Sequence, residues 1–254
     1  MSAPSDAALS EIAVRLLDGF AVQRGARTVA LPPSGQRLVA FLALRIGASR
    51  SVAAATLWPQ ASEERSGASL RTAVWRVNRA VPGLVVAQGI HVRLARETFV
   101  DNREFTARIR RVLQPPDGRQ PQVPDDDGYA WLLNGDLLPG WYDDWVLLDQ
   151  ERTRQLRLHA LEAGAYRMAA KGRHAGAMDL AFEAVRLEPL RESASRAVIA
   201  VHLSEGNTVD AVRHYEWFRN LLGTELGVPP SEQLTALAGR RVAAGRRPGA
   251  ATHR

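Results

Sequence analysis

The chain has 254 residues, 46% of them hydrophobic, which is enough for two ordinary domains with their own cores; the absence of cysteine excludes disulfides, thiolate metal sites and cysteine nucleophiles. The formal charge of +6 is unevenly placed, with 15 arginines against 8 carboxylates in residues 1–110 and 18 basic against 19 acidic residues in 111–254. A basic half beside a neutral one suits a domain that meets a polyanion joined to one that meets protein.

Residues 1–10 are small and polar and read as a disordered start. They carry neither a basic region nor an apolar one, and no apolar run approaches about 18 residues anywhere. No signal peptide or membrane segment is therefore expected, and the expected location is the cytoplasm. Residues 13–17, 20–23 and 28–31 are short strand candidates separated by Asp18-Gly19 and Arg24-Gly25, both turn dipeptides. Pro32-Pro33-Ser34 stops this small sheet and starts a helix with Leu38, Phe41, Leu42 and Arg45 at helical spacing, ended by Gly47. Ser51 is expected to cap a second short helix over 52–57, which closes at Trp58-Pro59 because proline cannot continue it.

A third helix follows, led by Glu63 and Glu64 at the positive end of its dipole. In SGASLRTAVWRVNRAV, residues 66–81, Leu70, Val74, Val77 and Val81 make one apolar stripe on a 3.6-residue period. The other face carries Ser69, Arg71, Thr72, Trp75, Arg76, Asn78 and Arg79, and no carboxylate interrupts it. Arg, Asn, Ser and Thr are the side chains that bond phosphate oxygens and base edges, so such a face suits a major groove. A merely solvated helix face has the same composition, and the neighbouring elements decide between the two. After Pro82-Gly83, residues 84–87 and 91–95 alternate around Gln88-Gly89 as a hairpin bearing Arg93 and Arg96. Three strands, three helices and a terminal hairpin describe a winged helix-turn-helix with the third helix as reader and the hairpin as wing.

Four stretches carry a resemblance: VRLLDGF near the start, LPPSGQRLVAFLAL in the first helix, LW in the second and SLRTAVWRVNRAVPG in the third. They resemble the winged-helix output domain of OmpR-type response regulators and, with the second half of the chain, the Streptomyces antibiotic regulatory protein family. The resemblance implies that Arg76 contacts bases in the major groove, that Ser69, Trp75 and Asn78 face phosphates, that the Trp58 indole donates to a phosphate, and that Arg93 reaches the minor groove from the wing. Trp75 and Asn78 stand where the family more often has basic or hydroxyl residues. The wing reads QGIHVRL where the family usually has a Gly-Tyr-Arg turn.

Residues 102–114 form a further helix candidate, and QPPDGRQPQVPDDDG (114–128) reads as a hinge or exposed loop. Its triplet Asp125 to Asp127 lacks the alternating ligand spacing of a calcium loop. Beyond Trp131 the chain is expected to be helical, with a long helix entered from a Leu-Pro-Gly turn and shorter ones near 174–187, 191–204, 208–222 and 231–240. KGRHAGAM at 171 and EGNTVDAV at 205 align Gly172 with Gly206, Ala177 with Ala211 and Met178 with Val212, an offset of 34 residues that is the tetratricopeptide period. LLPGWYDDWVLLDQERTRQLRLHALE, LEPLRESA and TELGVPPSEQL resemble the bacterial transcriptional activation domain that follows the winged helix in the same family.

No catalytic constellation is present. The six histidines form no i, i+4 pair around a Glu, and there is neither a phosphate-binding glycine loop nor a Gly-x-Ser-x-Gly elbow. No metal and no cofactor is expected. Asp143 and Asp144 read as helix-start capping, and Trp131, Trp141, Tyr142 and Trp145 as core or interface packing. The expected fold is mainly α with small β elements, an N-terminal winged helix-turn-helix followed by an all-α tetratricopeptide-like domain. The expected divisions are a disordered start (1–11), the DNA-binding domain (12–100), a helix and linker (101–128), the helical activation domain (129–240) and a flexible basic tail (241–254). The resemblance implies a transcriptional activator, not an enzyme, that binds direct repeats in promoter DNA, controls secondary-metabolite genes, contacts RNA polymerase and pairs as a homodimer on DNA. The alternative is a ligand- or peptide-binding helical scaffold with a non-specific basic surface.

Overall fold

The computed structural model describes residues 12–114 and 129–245, with side chains as far as residue 239. The expectations for 1–11, for the loop 115–128 with its aspartate triplet, and for 246–254 lie outside the described residues. Contacts divide the chain into two compact units, 12–110 with 134–154, and 111–114 and 129–133 with 155–245. The break expected after 128 therefore falls elsewhere, because Leu137, Leu138, Trp145 and Val146 are buried in the core of the first unit.

In the first unit, β1 (Ile12–Arg15), β2 (Ala21–Arg24) and β3 (Arg27–Val29) form the expected antiparallel sheet. A short strand not anticipated from sequence, β7 (Phe99–Val100), runs parallel to β1 and completes the order β3-β2-β1-β7. Asp101, directly after it, accepts backbone N–H bonds from Leu16, Leu17 and Asn102 and so fastens the start of α4 (Asp101–Leu113) to the end of β1. Burial of this carboxyl pushes its pKa up, against the three N–H bonds that favour the anion.

Helix α1 (Pro33–Arg45) opens on proline, whose missing N–H costs nothing in a first turn. Leu38, Phe41 and Leu42 fill the core. It ends one residue before the expected glycine: Ile46 takes the left-handed conformation, at φ 62°, and is itself solvent-exposed. Helix α2 (Arg50–Leu57) is capped by Ser49 Oγ, which accepts the Val52 N–H at 3.2 Å, rather than by Ser51. The correction follows from a strand too short to read locally, β4 (Ala48–Ser49), which pairs with the hairpin and starts the helix two residues earlier. Helix α3 is Glu63–Ala80, and the hairpin is β5 (Val85–Gln88) and β6 (His91–Leu94), giving a second sheet of order β4-β6-β5. With α1 to α3 around one core and this sheet at the end of α3, the first unit is a winged helix.

The second unit takes up α5 (Asp144–Ala170) from residue 155 and continues as α6 (His174–Leu187), α7 (Glu192–Glu205), α8 (Thr208–Glu225) and α9 (Glu232–Gly245). The last helix runs five residues into the expected tail. The 34-residue offset is visible in three dimensions. Gly172 and Gly206 both follow a helix with positive φ, 73° and 89°, where a Cβ would strain the chain. Ala177 and Ala211 are both buried, small enough for paired helices to approach. The stretches LEPLRESA and TELGVPPSEQL meet at one contact: Glu192 accepts from both the backbone N–H and the hydroxyl of Ser231, whose Oγ caps α9 at Leu234. Burial pushes the Glu192 carboxyl up, but these bonds and Arg196 hold it below the usual carboxylate range. The unit is tetratricopeptide-like in this sense.

Candidate nucleic-acid interface

Helix α3 buries Ser66, Leu70, Ala73 and Val77 and leaves Val74 half-buried, so its inward stripe is rotated slightly from the one expected around Val74. That rotation fixes what points outward. At about 100° per residue, Arg65, Ser69, Thr72 and Arg76 follow one line at i, i+4, i+7 and i+11, and Thr72, Trp75 and Arg79 follow the next. Arg71, Arg76 and Arg79 are exposed, with no carboxylate partner among the described residues. Beyond Glu64 the helix has no acid at all.

The individual side chains differ in what they have left to offer. Arg76 is exposed and makes no hydrogen bond or ion pair among the described residues. Thr72 returns its hydroxyl to the Ala68 carbonyl at 3.0 Å, a common back-bond that leaves its lone pairs outward. Trp75 is 58% exposed, and the Arg79 guanidinium lies over its ring at 5.2 Å. The pair therefore presents an aromatic ring and a cation side by side on the exposed face. Ser69 is half-buried on the same side as Arg76.

Asn78 corrects the sequence reading. Its Nδ2 donates to the Val85 carbonyl at 2.8 Å and its Oδ1 accepts from the Val85 N–H at 3.0 Å, so the amide is engaged with the backbone of β5 rather than turned to a phosphate. It ties the β5–β6 hairpin to α3. Arg93, on β6, is half-buried and donates to the Leu94 carbonyl at 3.1 Å, so its guanidinium is partly held against its own strand. The hairpin tip instead offers Gly89 and an exposed Ile90. Trp58 is half-buried against the core and lines a groove of about 970 Å³ between α2 and α3, with no bond from its indole N–H among the described residues.

Two cations escaped notice in the sequence. Arg65 is exposed on the first turn of α3; since Glu63 and Glu64 already marked a helix start, extending the period backward by one turn would have found it. Arg50, at the start of α2, is exposed beside Arg71 on the groove wall. Only tertiary packing brings these two together.

Asp143 does not serve mainly as a cap: its carboxylate takes an ion pair from Arg37 at 2.5 Å. The aromatic cluster also divides. Trp141 and Trp145 pack edge-on at 6.4 Å, against Phe20 and Phe41 of the first unit, while Tyr142 is exposed. In the second unit a different aromatic group faces solvent, Phe182 of α6 with Trp217 of α8, and His214 between them at ring distances of 6.3 and 5.0 Å. Burial, with a repulsive contribution from His202, lowers the His214 pKa to about 4, so the ring is neutral near pH 7. No group of three or more acidic or histidine side chains able to hold a metal, and no helix long and apolar enough to cross a membrane, is found among the described residues.

A family model described as the bacterial transcriptional activator domain matches residues 100–240. A solved structure, Mycobacterium tuberculosis EmbR in complex with a low affinity phosphopeptide, is similar in fold, with a TM-score of 0.67 at 17% identity over 92% of this chain. The chain spans 65% of the length of that structure. No curated protein matches.

Proposed function

The chain belongs to the bacterial transcriptional activator domain family, and from that premise we propose that this transcriptional activator of the Streptomyces antibiotic regulatory type binds promoter DNA directly through α3. The family and fold point to a regulator rather than an enzyme. The observation that carries the DNA reading is the outer face of α3 beyond Glu64, which has no acid and on which Arg65, Arg71, Arg76 and Arg79 have no carboxylate partner among the described residues. Four such guanidiniums on one helix repel one another unless a polyanion is bound, and DNA supplies a negative charge about every 1.7 Å of axis.

In this reading Arg76 reads a base edge in the major groove. Arg65, Arg71, Arg79, Ser69, Thr72 and Trp75 contact the backbone or flank the base, Trp58 donates to a phosphate, and Arg93 with the hairpin tip lies at the minor groove. Asn78 acts at one remove, by holding the wing in register. The helical unit meets protein, either RNA polymerase or a second protomer on adjacent direct repeats. The exposed Phe182 and Trp217 support that role, since aromatic side chains are enriched at protein interfaces. Such an activator works in the cytoplasm and suits genes of secondary metabolism.

The test is a fluorescence-polarisation titration against upstream DNA of neighbouring genes, with unrelated competitor and at two salt concentrations. Specific binding that survives both supports the reading. Binding lost equally on every duplex as salt rises leaves only a basic surface and favours the scaffold alternative. Arg76→Ala is expected to lose about 1–3 kcal/mol on the specific site and to relax preference at one base pair. Unchanged affinity and preference in that variant remove Arg76 from its role.

A further inference from the structure

Between α3 and the β5–β6 hairpin lies a cavity of about 310 Å³ that none of the roles above occupies. Its walls are Leu70, Val74 and the Trp75 indole on the helix side and Ala87 and Val92 on the hairpin side. The volume stands at the lower end of the range for small-molecule sites, roughly 300–1,000 Å³, and equals about ten waters at ~30 Å³ each. Water against such walls gains little, whereas an apolar body filling the space releases it.

The polar chemistry at the rim has one sign. Arg50 and Arg71 line the cavity, both exposed, and neither has a carboxylate partner among the described residues. The remaining polar group, Asn78, already spends its amide oxygen and one N–H on Val85. The occupant's polar end must therefore accept hydrogen bonds and carry negative charge, as a carboxylate or sulfonate does in front of guanidinium donors.

We propose that this cavity binds a small organic anion, an apolar ring body seated between reader helix and wing with its acidic group on Arg50 and Arg71, and that its occupancy and DNA binding exclude one another. The second clause rests on the DNA reading above, because Arg71 and Trp75 would serve both ligands. The first clause is independent of it. An inorganic phosphate or a DNA phosphate satisfies the two arginines but leaves the apolar walls uncovered, and this is what separates a ligand site from a mere backbone seat.

The experiment titrates the full chain with 8-anilinonaphthalene-1-sulfonate, an aromatic sulfonate whose emission rises in an apolar site. The expected result is one dye per chain, with affinity at least tenfold weaker in both Ala87→Leu, which narrows the cavity, and Arg50→Ala, which removes one cation. Ala87 and Arg50 are exposed, and a thermal melt of each variant checks that the fold is kept. Dye binding unchanged in Ala87→Leu, or competed by inorganic phosphate as strongly as by the dye's unlabelled naphthalenesulfonate analogue, overturns the ligand site. Duplex that binds by polarisation and displaces the dye upholds the exclusion; duplex that binds while the dye stays overturns it. Duplex that does not bind at all overturns the DNA reading and with it the exclusion, while the dye result still decides the cavity.

Discussion

Helix α3 of the first unit and the core of the helical unit use the same residue in opposite ways. On α3, Arg71, Arg76 and Arg79 are exposed without a carboxylate partner among the described residues, whereas in the helical unit Arg157 is only 2% exposed and donates to the carbonyls of Leu132 and Leu133 and to Glu183 at 2.6 Å. Arg191 does likewise, held by Glu162 at 2.6 Å and by Gln155. Glu162 takes a further bond from Ser193. An arginine count therefore says little about function. What distinguishes the surfaces is whether each guanidinium meets a carboxylate of its own chain, and a face where none does is available to an outside polyanion.

The difference is sharpest where a side chain is removed. Arg157→Ala should cost the helical unit roughly 2–4 kcal/mol, because it leaves the Leu132 and Leu133 carbonyls without their donor in a dry site, while Glu183 keeps its pair with Arg186. Calorimetric melts of the full chain would read this as an early transition, while Arg76→Ala should leave melting within about 0.5 kcal/mol. Equal destabilisation by the two would erase the contrast. Asn78→Ala, which leaves the Val85 N–H unpaired, should cost roughly 1–3 kcal/mol and weaken DNA binding although the residue touches no DNA in this reading. Hydrogen exchange at Val85 would show the loosened wing.

Arg65→Ala offers a smaller test of the outward face. Affinity should fall alike on specific and unrelated duplexes, and the slope of log affinity against log salt should flatten by about 1. A loss confined to one sequence would make Arg65 a base reader instead. The smallest effect concerns pH in the helical unit. Because the folded pKa of His214 is near 4 and the unfolded value near 6.5, the unfolded chain binds the extra proton between them. The stability contributed by neutral His214 is thus complete above about pH 6.5 and declines as pH falls toward 4. Melts across that window should flatten in His214→Phe, and a slope that persists there belongs to another group.

Much of the fold was legible because it depends on neighbours in sequence. Helix α3 followed from the spacing of Leu70, Val74, Val77 and Val81, and the hairpin from alternation around Gln88-Gly89. The helical repeat followed from glycines and alanines at a fixed offset. The candidate site was partly legible for the same reason: Arg76, Thr72, Trp75 and Arg79 project outward wherever Leu70 and Val77 project inward. Asn78 was not, because an amide at the edge of that face suits a phosphate and a strand equally well until the strand's position is known. β4 and β7 have two residues each, too few for a period, and exist only through pairing with distant β6 and β1.

The sequence by itself determined the helices and the longer strands, the order of a winged helix before a helical repeat, and one helix face rich in arginine and, beyond Glu64, free of acids. These are local properties of a chain whose side chains recur every 3.6 or 2 residues. Tertiary structure alone decided which arginines are spent and which are free. It paired Arg37 with Asp143 and Arg157 with Glu183 across long stretches of chain, placed Arg50 beside Arg71, and drew Trp141 and Trp145 into the first unit. The physical reason is that an ion pair or a cavity needs groups a few ångströms apart in space, and no local period specifies which distant segment will supply the second one.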